Sequence, residues 1–212
     1  MRSISLIICL GLIVSQIVYM FWREEYRYSL PTPVPIEFTS VPINSCVPIP
    51  KLESSVPRSG YLLHFFNPEC PCSRFNLKHF KRLYASFHQE IAFAVVIPEE
   101  ADILKAHRLL EIPLSVFQDR GDSLAKSYGV YSTPQAVIVD PAGSLYFRGN
   151  YNKARFCSQP NTNFAKLSLE SLLQNKAAPN WGPLASNAYG CRFDGHEAEE
   201  PPLFFWSQIL EE

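Results

Sequence analysis

Two cysteines stand one residue apart in the stretch NPECPCSRF, residues 67–75. Cysteine chemistry belongs to the thiolate, so the first matter is what would stabilise one here. An apolar run, YLLHFF (61–66), precedes the pair and a sequence of helical period follows it. If the helix begins after Cys70, then Cys70 is its N-cap. Pro71 falls at the first helical position, where its missing N–H costs nothing and its fixed φ suits the helix. The Cys70 sulfur then faces the free N–H groups and the positive end of the helix dipole. Both favour the thiolate and make Cys70 a nucleophile near neutral pH, although the neighbouring carboxylate of Glu69 works against them.

Cys72 and Ser73 follow in the first turn of that helix. A Cys70–Cys72 disulfide would close a small, strained ring, more easily reduced than an ordinary structural bond. The other partners on offer are Cys157 and Cys191. Either can resolve a bond on Cys70, or the two can pair and clamp an irregular tail, which suits an oxidising compartment. Cys9 lies in an apolar stretch and reads as inert, and Cys46 sits among prolines.

The elements that must position these thiols are legible as alternating patterns. Tyr61 to Asn67 reads as a buried strand, and Ser73 to Gln89 as a helix with Phe80, Leu83, Tyr84 and Phe87 on one face. A second strand (Ile91 to Pro98), a helix with an acidic first turn (Glu99 to Glu111) and a third strand (Leu114 to Asp119) follow. Gly121 to Val130 reads as a short helix ending at Gly129. QAVIVD and SLYFRGNY flank Pro141-Ala142-Gly143 as a hairpin, and Phe164 to Gln174 closes as a helix. Alternation followed by a hairpin predicts an α/β fold, a central mixed sheet with helices on both faces. His64, Phe75 and Phe80 read as core, and His79 and His88 as solvent-facing.

The chain has 212 residues and a net charge of -1, with no basic stripe, which argues against nucleic acid as a partner. Ser3 to Trp22 carries no charge. As a helix it spans roughly 30 Å, one bilayer core. It lacks a small-x-small cleavage site after Trp22, so an uncleaved anchor is expected ahead of a cleaved signal peptide. Eighteen prolines crowd toward the two ends. The resulting division is 1–22 as a transmembrane signal-anchor, 23–59 as a proline-rich linker, 60–176 as the redox domain and 177–212 as an extension carrying Cys191.

Cys70 at a strand-to-helix turn, a helix ending in Tyr128-Gly129-Val130, and Ser132-Thr133-Pro134-Gln135 before AVIVDPAGSLYFRG together resemble the thioredoxin fold. More narrowly, they are similar to membrane-tethered redoxins of the TlpA type and the AhpC/TSA superfamily, in a branch carrying Cys-Pro-Cys. The resemblance covers about residues 61–174 and implies a three-layer α/β/α domain. It places Cys70 at the nucleophile's position and Ser73 at the usual resolving position, with Cys72 one place early. It also implies that Pro134 follows a cis peptide bond against the active cysteine, where Thr133 offers backbone contacts to a bound thiol substrate. Sequence alone would leave that bond trans.

The expected activity is a thiol-disulfide oxidoreductase on a protein or small-molecule substrate. Cys70 attacks, and Cys72 or Cys157 resolves. The domain is expected on the exoplasmic side, with no cofactor and no resident metal. Copper(I) held by Cys70 and Cys72 is one alternative, since soft thiolates suit it. Peroxide reduction through a Cys70 sulfenic acid is the other.

Overall fold

The structure, a computed structural model, describes residues 2–22, 26, 30–49, 59–153 and 159–193. It begins with helix α1, Arg2–Phe21, whose apolar side chains are exposed along its length. Ile4–Phe21 is long and apolar enough to cross a membrane, with a mean hydropathy of 2.4.

The α/β unit follows in the predicted order. Its strands are β1 (Tyr61–Phe65), β2 (Ala92–Pro98), β3 (Ser115–Asp119), β4 (Ser132–Thr133), β5 (Gln135–Val139), β6 (Leu145–Gly149) and β7 (Cys191–Arg192). Its helices are α2 (Pro71–Phe87), α3 (Ile103–Leu110), α4 (Ser123–Tyr128), α5 (Phe164–Leu173) and α6 (Pro183–Ser186). One five-stranded sheet runs β3-β2-β1-β5-β6. β1, β2 and β3 are parallel, while β5 and β6 are antiparallel to their neighbours. Every residue of β2 is buried, as a central parallel strand covered on both faces requires.

Side chains alternate across β1. Leu62, His64 and Phe66 face the layer of α2, α3 and α5, while Leu63 and Phe65 face α4. The helix boundaries follow from local chemistry. Asp102 caps α3 by accepting from the N–H groups of Leu104 (2.8 Å) and Lys105 (3.1 Å). The buried Asp119 at the end of β3 does the same for α4, accepting from Leu124 and Ala125.

The second face is not covered by helix alone. Val47, from the proline-rich segment, and Phe193, from the tail, complete its core beside Ala125 and Tyr128. The described part of the predicted linker, residues 30–49, lies on the domain. Asn44 and Val47 donate to Leu145 and Gly143, and Arg148 donates to the carbonyls of Val41 (2.8 Å) and Tyr128 (3.0 Å). Tyr128 in turn donates to the Pro48 carbonyl. The boundary expected at residue 176 also moves. Ala185, Ala188 and Phe193 are core residues, and Trp181 donates to Ser168 at 2.8 Å. Proline-rich segments show no hydrophobic period, so their contribution to a core is invisible in the pattern.

Two side-chain assignments change. Phe75 is 46% exposed, because it lies on the outer face of α2. His79 is buried rather than solvent-facing. It packs edge-on against Tyr151, which also bonds the buried His64 through Nδ1 at 2.7 Å. Burial holds both imidazoles neutral. Desolvation lowers His64 from 6.5 to about 3, and lowers His79 to about 4 with help from the positive charges of Arg82 and Lys166.

An unfolded chain therefore takes up protons at these histidines below pH 6.5 that the folded chain refuses until about pH 4. Their stability contribution is complete above 6.5 and is lost as pH falls through that window. Urea unfolding between pH 6.5 and 4.5 should show a loss of about 1.4 kcal/mol per pH unit per histidine. A His64→Phe variant should lose about half of that dependence. A flat wild-type profile would contradict the assignment.

Candidate active site

The cysteine turn is fixed by its own backbone. Cys70 has φ -76° and ψ 122°, the extended conformation of an N-cap, and Pro71 opens α2. The N–H of Cys70 donates to the Asn67 carbonyl at 3.0 Å, and its own carbonyl accepts from Arg74 at 3.2 Å. Asn67 Oδ1 accepts from the Glu69 N–H at 2.9 Å. The buried Ser73 hydroxyl accepts from the Asn67 N–H at 3.3 Å, tying the strand end to the first helical turn. Ser73, expected from the resemblance to occupy a resolving position, thus has a structural task. The Glu69 carboxylate is paired with Lys105 Nζ at 2.6 Å, which offsets its opposition to a Cys70 thiolate.

Cys70 is bonded to Cys191. Their Cα atoms are 6.0 Å apart across 121 residues of sequence. This excludes, in this state, both a Cys70–Cys72 bond and a Cys157–Cys191 bond. Cys157 lies outside the described residues. Cys72 is buried and in no disulfide, on the helix face it shares with Asn76 and His79. Rigid helical geometry turns that face toward the sheet side, so a one-residue spacing sends the two sulfurs in different directions.

Cys191 reaches Cys70 because β7 pairs antiparallel with β4, Thr133 opposite Cys191 and Ser132 opposite Arg192. The Thr133–Pro134 bond is cis, as the resemblance implied. The Thr133 carbonyl oxygen lies 3.7 Å from Cys70 Sγ. Thr133 is wholly buried, and Cys70, the cis-proline and the tail strand meet at this one backbone unit.

The tail is held from three sides. Thr32 donates its N–H to the Ala188 carbonyl at 2.8 Å and its hydroxyl to the Gly190 carbonyl at 3.1 Å. The Phe193 N–H donates to the Tyr131 carbonyl at 3.0 Å. The Phe193 ring is buried edge-on against Phe65. Gly190 makes the approach possible. It has φ +133°, and a Cβ there would stand 2.0 Å from the Thr133 oxygen. Sequence reading offered Cys191 as a partner either of Cys70 or of Cys157, without deciding between them. The signal available was local: Tyr189, Gly190, Cys191, Arg192 and Phe193 set aromatic residues around a Gly-Cys pair. Among the described residues, no three histidine, cysteine, aspartate or glutamate side chains gather to hold a metal ion.

The family Domain of unknown function (DUF6436) matches residues 48–194. Among curated proteins none matches this sequence. An uncharacterized conserved protein from Geobacillus kaustophilus has a similar structure, with a TM-score of 0.62 at 17% identity over 79% of this chain and 100% of that one. A hypothetical protein from Sinorhizobium meliloti 1021 gives a TM-score of 0.60 at 15% identity, over 76% and 98%. The thioredoxin domain of a thiol-disulfide oxidoreductase from Bacteroides vulgatus gives 0.47 at 16% identity, over 62% and 98%. The fold is thioredoxin-like, a mixed sheet between helical layers with a cysteine-capped helix facing a cis-proline.

Gly190→Ala should weaken the bridge, because the tail strand can no longer close on Thr133. In glutathione redox buffers, the equilibrium constant for forming Cys70–Cys191 should fall about tenfold or more, the effect of ~1.4 kcal/mol of strain. An unchanged constant would show that the close approach is not needed.

Proposed function

This chain belongs to the DUF6436 family, and from its own site we propose that it is a membrane-tethered thiol-disulfide oxidoreductase cycling between a Cys70–Cys191 disulfide and the dithiol. The observation that carries this reading is the bond between a helix-capping cysteine and a second cysteine held beside a cis-proline. A bond made only for stability has no need of an N-cap sulfur, which helix N–H groups would stabilise as a leaving thiolate.

In the reduced state the Cys70 thiolate attacks one sulfur of a substrate disulfide. The S–S bond breaks, one substrate thiolate leaves, and the other half stays bonded to Cys70. Cys191, as a thiolate after losing its proton to solvent, then attacks Cys70 Sγ. The second substrate thiolate leaves and the Cys70–Cys191 bond forms. Two electrons pass from the protein dithiol to the substrate. The same steps reversed oxidise a substrate dithiol, and the potentials of the two partners set the direction.

The bridge supports giving the resolving role to Cys191 rather than to Cys72 or Cys157. Pro134 and Thr133 shape the wall against which the mixed disulfide forms. Cys72, buried in the first turn of α2, packs beneath the site.

Insulin-disulfide reduction by the purified full chain tests this. Cys70→Ser should lose turnover by at least about 100-fold. Cys191→Ser should lose turnover while accumulating a substrate adduct on Cys70, visible on non-reducing gels. Cys72→Ala should stay within about threefold of wild type. Full activity in Cys191→Ser would remove Cys191 from the cycle.

The anchor is α1, and the domain sits on the exoplasmic side, a placement supported by a disulfide at the site. Alkaline carbonate extraction of native membranes should leave the chain in the pellet, and deletion of residues 1–22 should release it. Release of the intact, uncleaved chain would overturn the anchor.

A further inference from the structure

The two sulfurs of the bridge differ in access. Cys70 is 2% exposed, under the tail strand and against the Thr133 carbonyl. Tyr189, Gly190, Cys191 and Arg192 are all partly exposed, while Ser132 and Thr133 beneath them are wholly buried. β7 pairs only with β4 in its ladder, so the cysteine of the tail lies on an outer strand. A cavity of about 480 Å³ opens next to that strand, lined in part by Phe38, Tyr131, Arg192 and Phe193 and not by either cysteine of the bridge. Of the two bonded residues, Cys191 is the more open to solvent.

The sulfurs also differ as leaving groups. A thiolate that attacks a disulfide bonds to one sulfur and expels the other, and the better-stabilised thiolate leaves faster. Cys70 caps the amino end of a 17-residue helix. Cys191 lies on a two-residue strand and caps no helix itself. Attack on Cys191 expels the favoured thiolate, whereas attack on Cys70 expels the other. Access and leaving ability select the same sulfur.

We propose that Cys191 is the sulfur through which an external thiol reductant enters, so that the tail receives electrons and Cys70 delivers them to the substrate. This rests on the oxidoreductase reading above and adds a division of labour between the two cysteines. The reductant thiolate bonds to Cys191 Sγ, the Cys70–Cys191 bond breaks, and Cys70 leaves as the thiolate. A second reductant thiolate attacks the reductant's own sulfur on Cys191. That releases the oxidised reductant as a disulfide and leaves Cys191 as a thiolate, which takes a proton from solvent. Two electrons move from two thiols to the bridge. The partner is a thiol carrier that reaches a partly exposed strand, whereas the disulfide substrate must reach Cys70 after the tail has moved aside.

Glutathione is the probe. The oxidised full chain in detergent is first mapped by non-reducing peptide mass spectrometry, which must show Cys70 joined to Cys191. It is then mixed briefly with glutathione, quenched with acid, and alkylated with N-ethylmaleimide. Glutathione should appear on the Cys191 peptide and the maleimide on the Cys70 peptide, with a preference of about tenfold or more. Adducts mainly on Cys70, evenly divided adducts, or a bridge untouched by millimolar glutathione would overturn the proposal and leave the redox pair standing. Absence of the bridge in the first map would remove the redox pair itself.

Discussion

The site depends on one short backbone unit, the Thr133 peptide ahead of Pro134. Its carbonyl oxygen touches Cys70 Sγ, its strand pairs with Cys191, and its oxygen sets the limit that only a glycine at 190 satisfies. Each contact constrains the others. If Thr133 shifted, the cysteine turn would lose its wall and the tail its ladder together. The surrounding architecture serves to hold this unit still. β5 continues directly from it into the middle of the sheet, and Ser132 is anchored by the hydroxyl of Thr32 at 2.9 Å.

The proline-rich segment takes on meaning in that light. Prolines cannot donate to a ladder, but they run extended, which lets residues 30–49 cross the domain surface at little conformational cost. The segment spends its few free N–H groups where they matter, at Thr32 on the tail and at Asn44 and Val47 on the hairpin. Arg148 and Tyr128 fasten its middle from below. Burial raises the Tyr128 phenol well above its ordinary range, so it stays a neutral donor. The proline-rich segment is thus also a wall of the candidate site, hydrogen-bonded to the hairpin at one end and to the tail at the other.

The sheet and the cysteine turn were legible because they obey local rules. Strand runs, helix periods, Pro71 at the first helical position and Gly129 at a helix end each carry their own physical signal. The cis bond at Pro134 was legible only through resemblance, since sequence alone leaves an X-Pro bond trans. The Cys70–Cys191 pairing stood only as one of several open alternatives, because the choice depends on a register set 121 residues away and on the conformation of one glycine. His79 was misjudged for a related reason. Its position in α2 is polar by residue type, and only the arrival of Tyr151 from beyond β6 makes it interior.

The Cys-Pro-Cys spacing now has a physical account. In the first turn of a helix, successive residues diverge by about 100°. A second cysteine two places after the first therefore points away from the bond that the first one makes, and Cys72 is interior. The task of closing the bond passes to a tail that docks by itself. Burying the Phe193 ring is worth about 1.5–3 kcal/mol, before the hydrogen bonds from Thr32 and to Tyr131 are counted. Every 1.4 kcal/mol of docking raises the local availability of Cys191 at Cys70 by about tenfold. By linkage, the bridge stabilises the docked tail to the same extent that docking favours the bridge. In the proposed cycle, a tail held too weakly would leave substrate adducts unresolved, and one held too tightly would keep substrate away from Cys70. A single buried aromatic ring, a glycine and a few backbone hydrogen bonds hold the tail on the site.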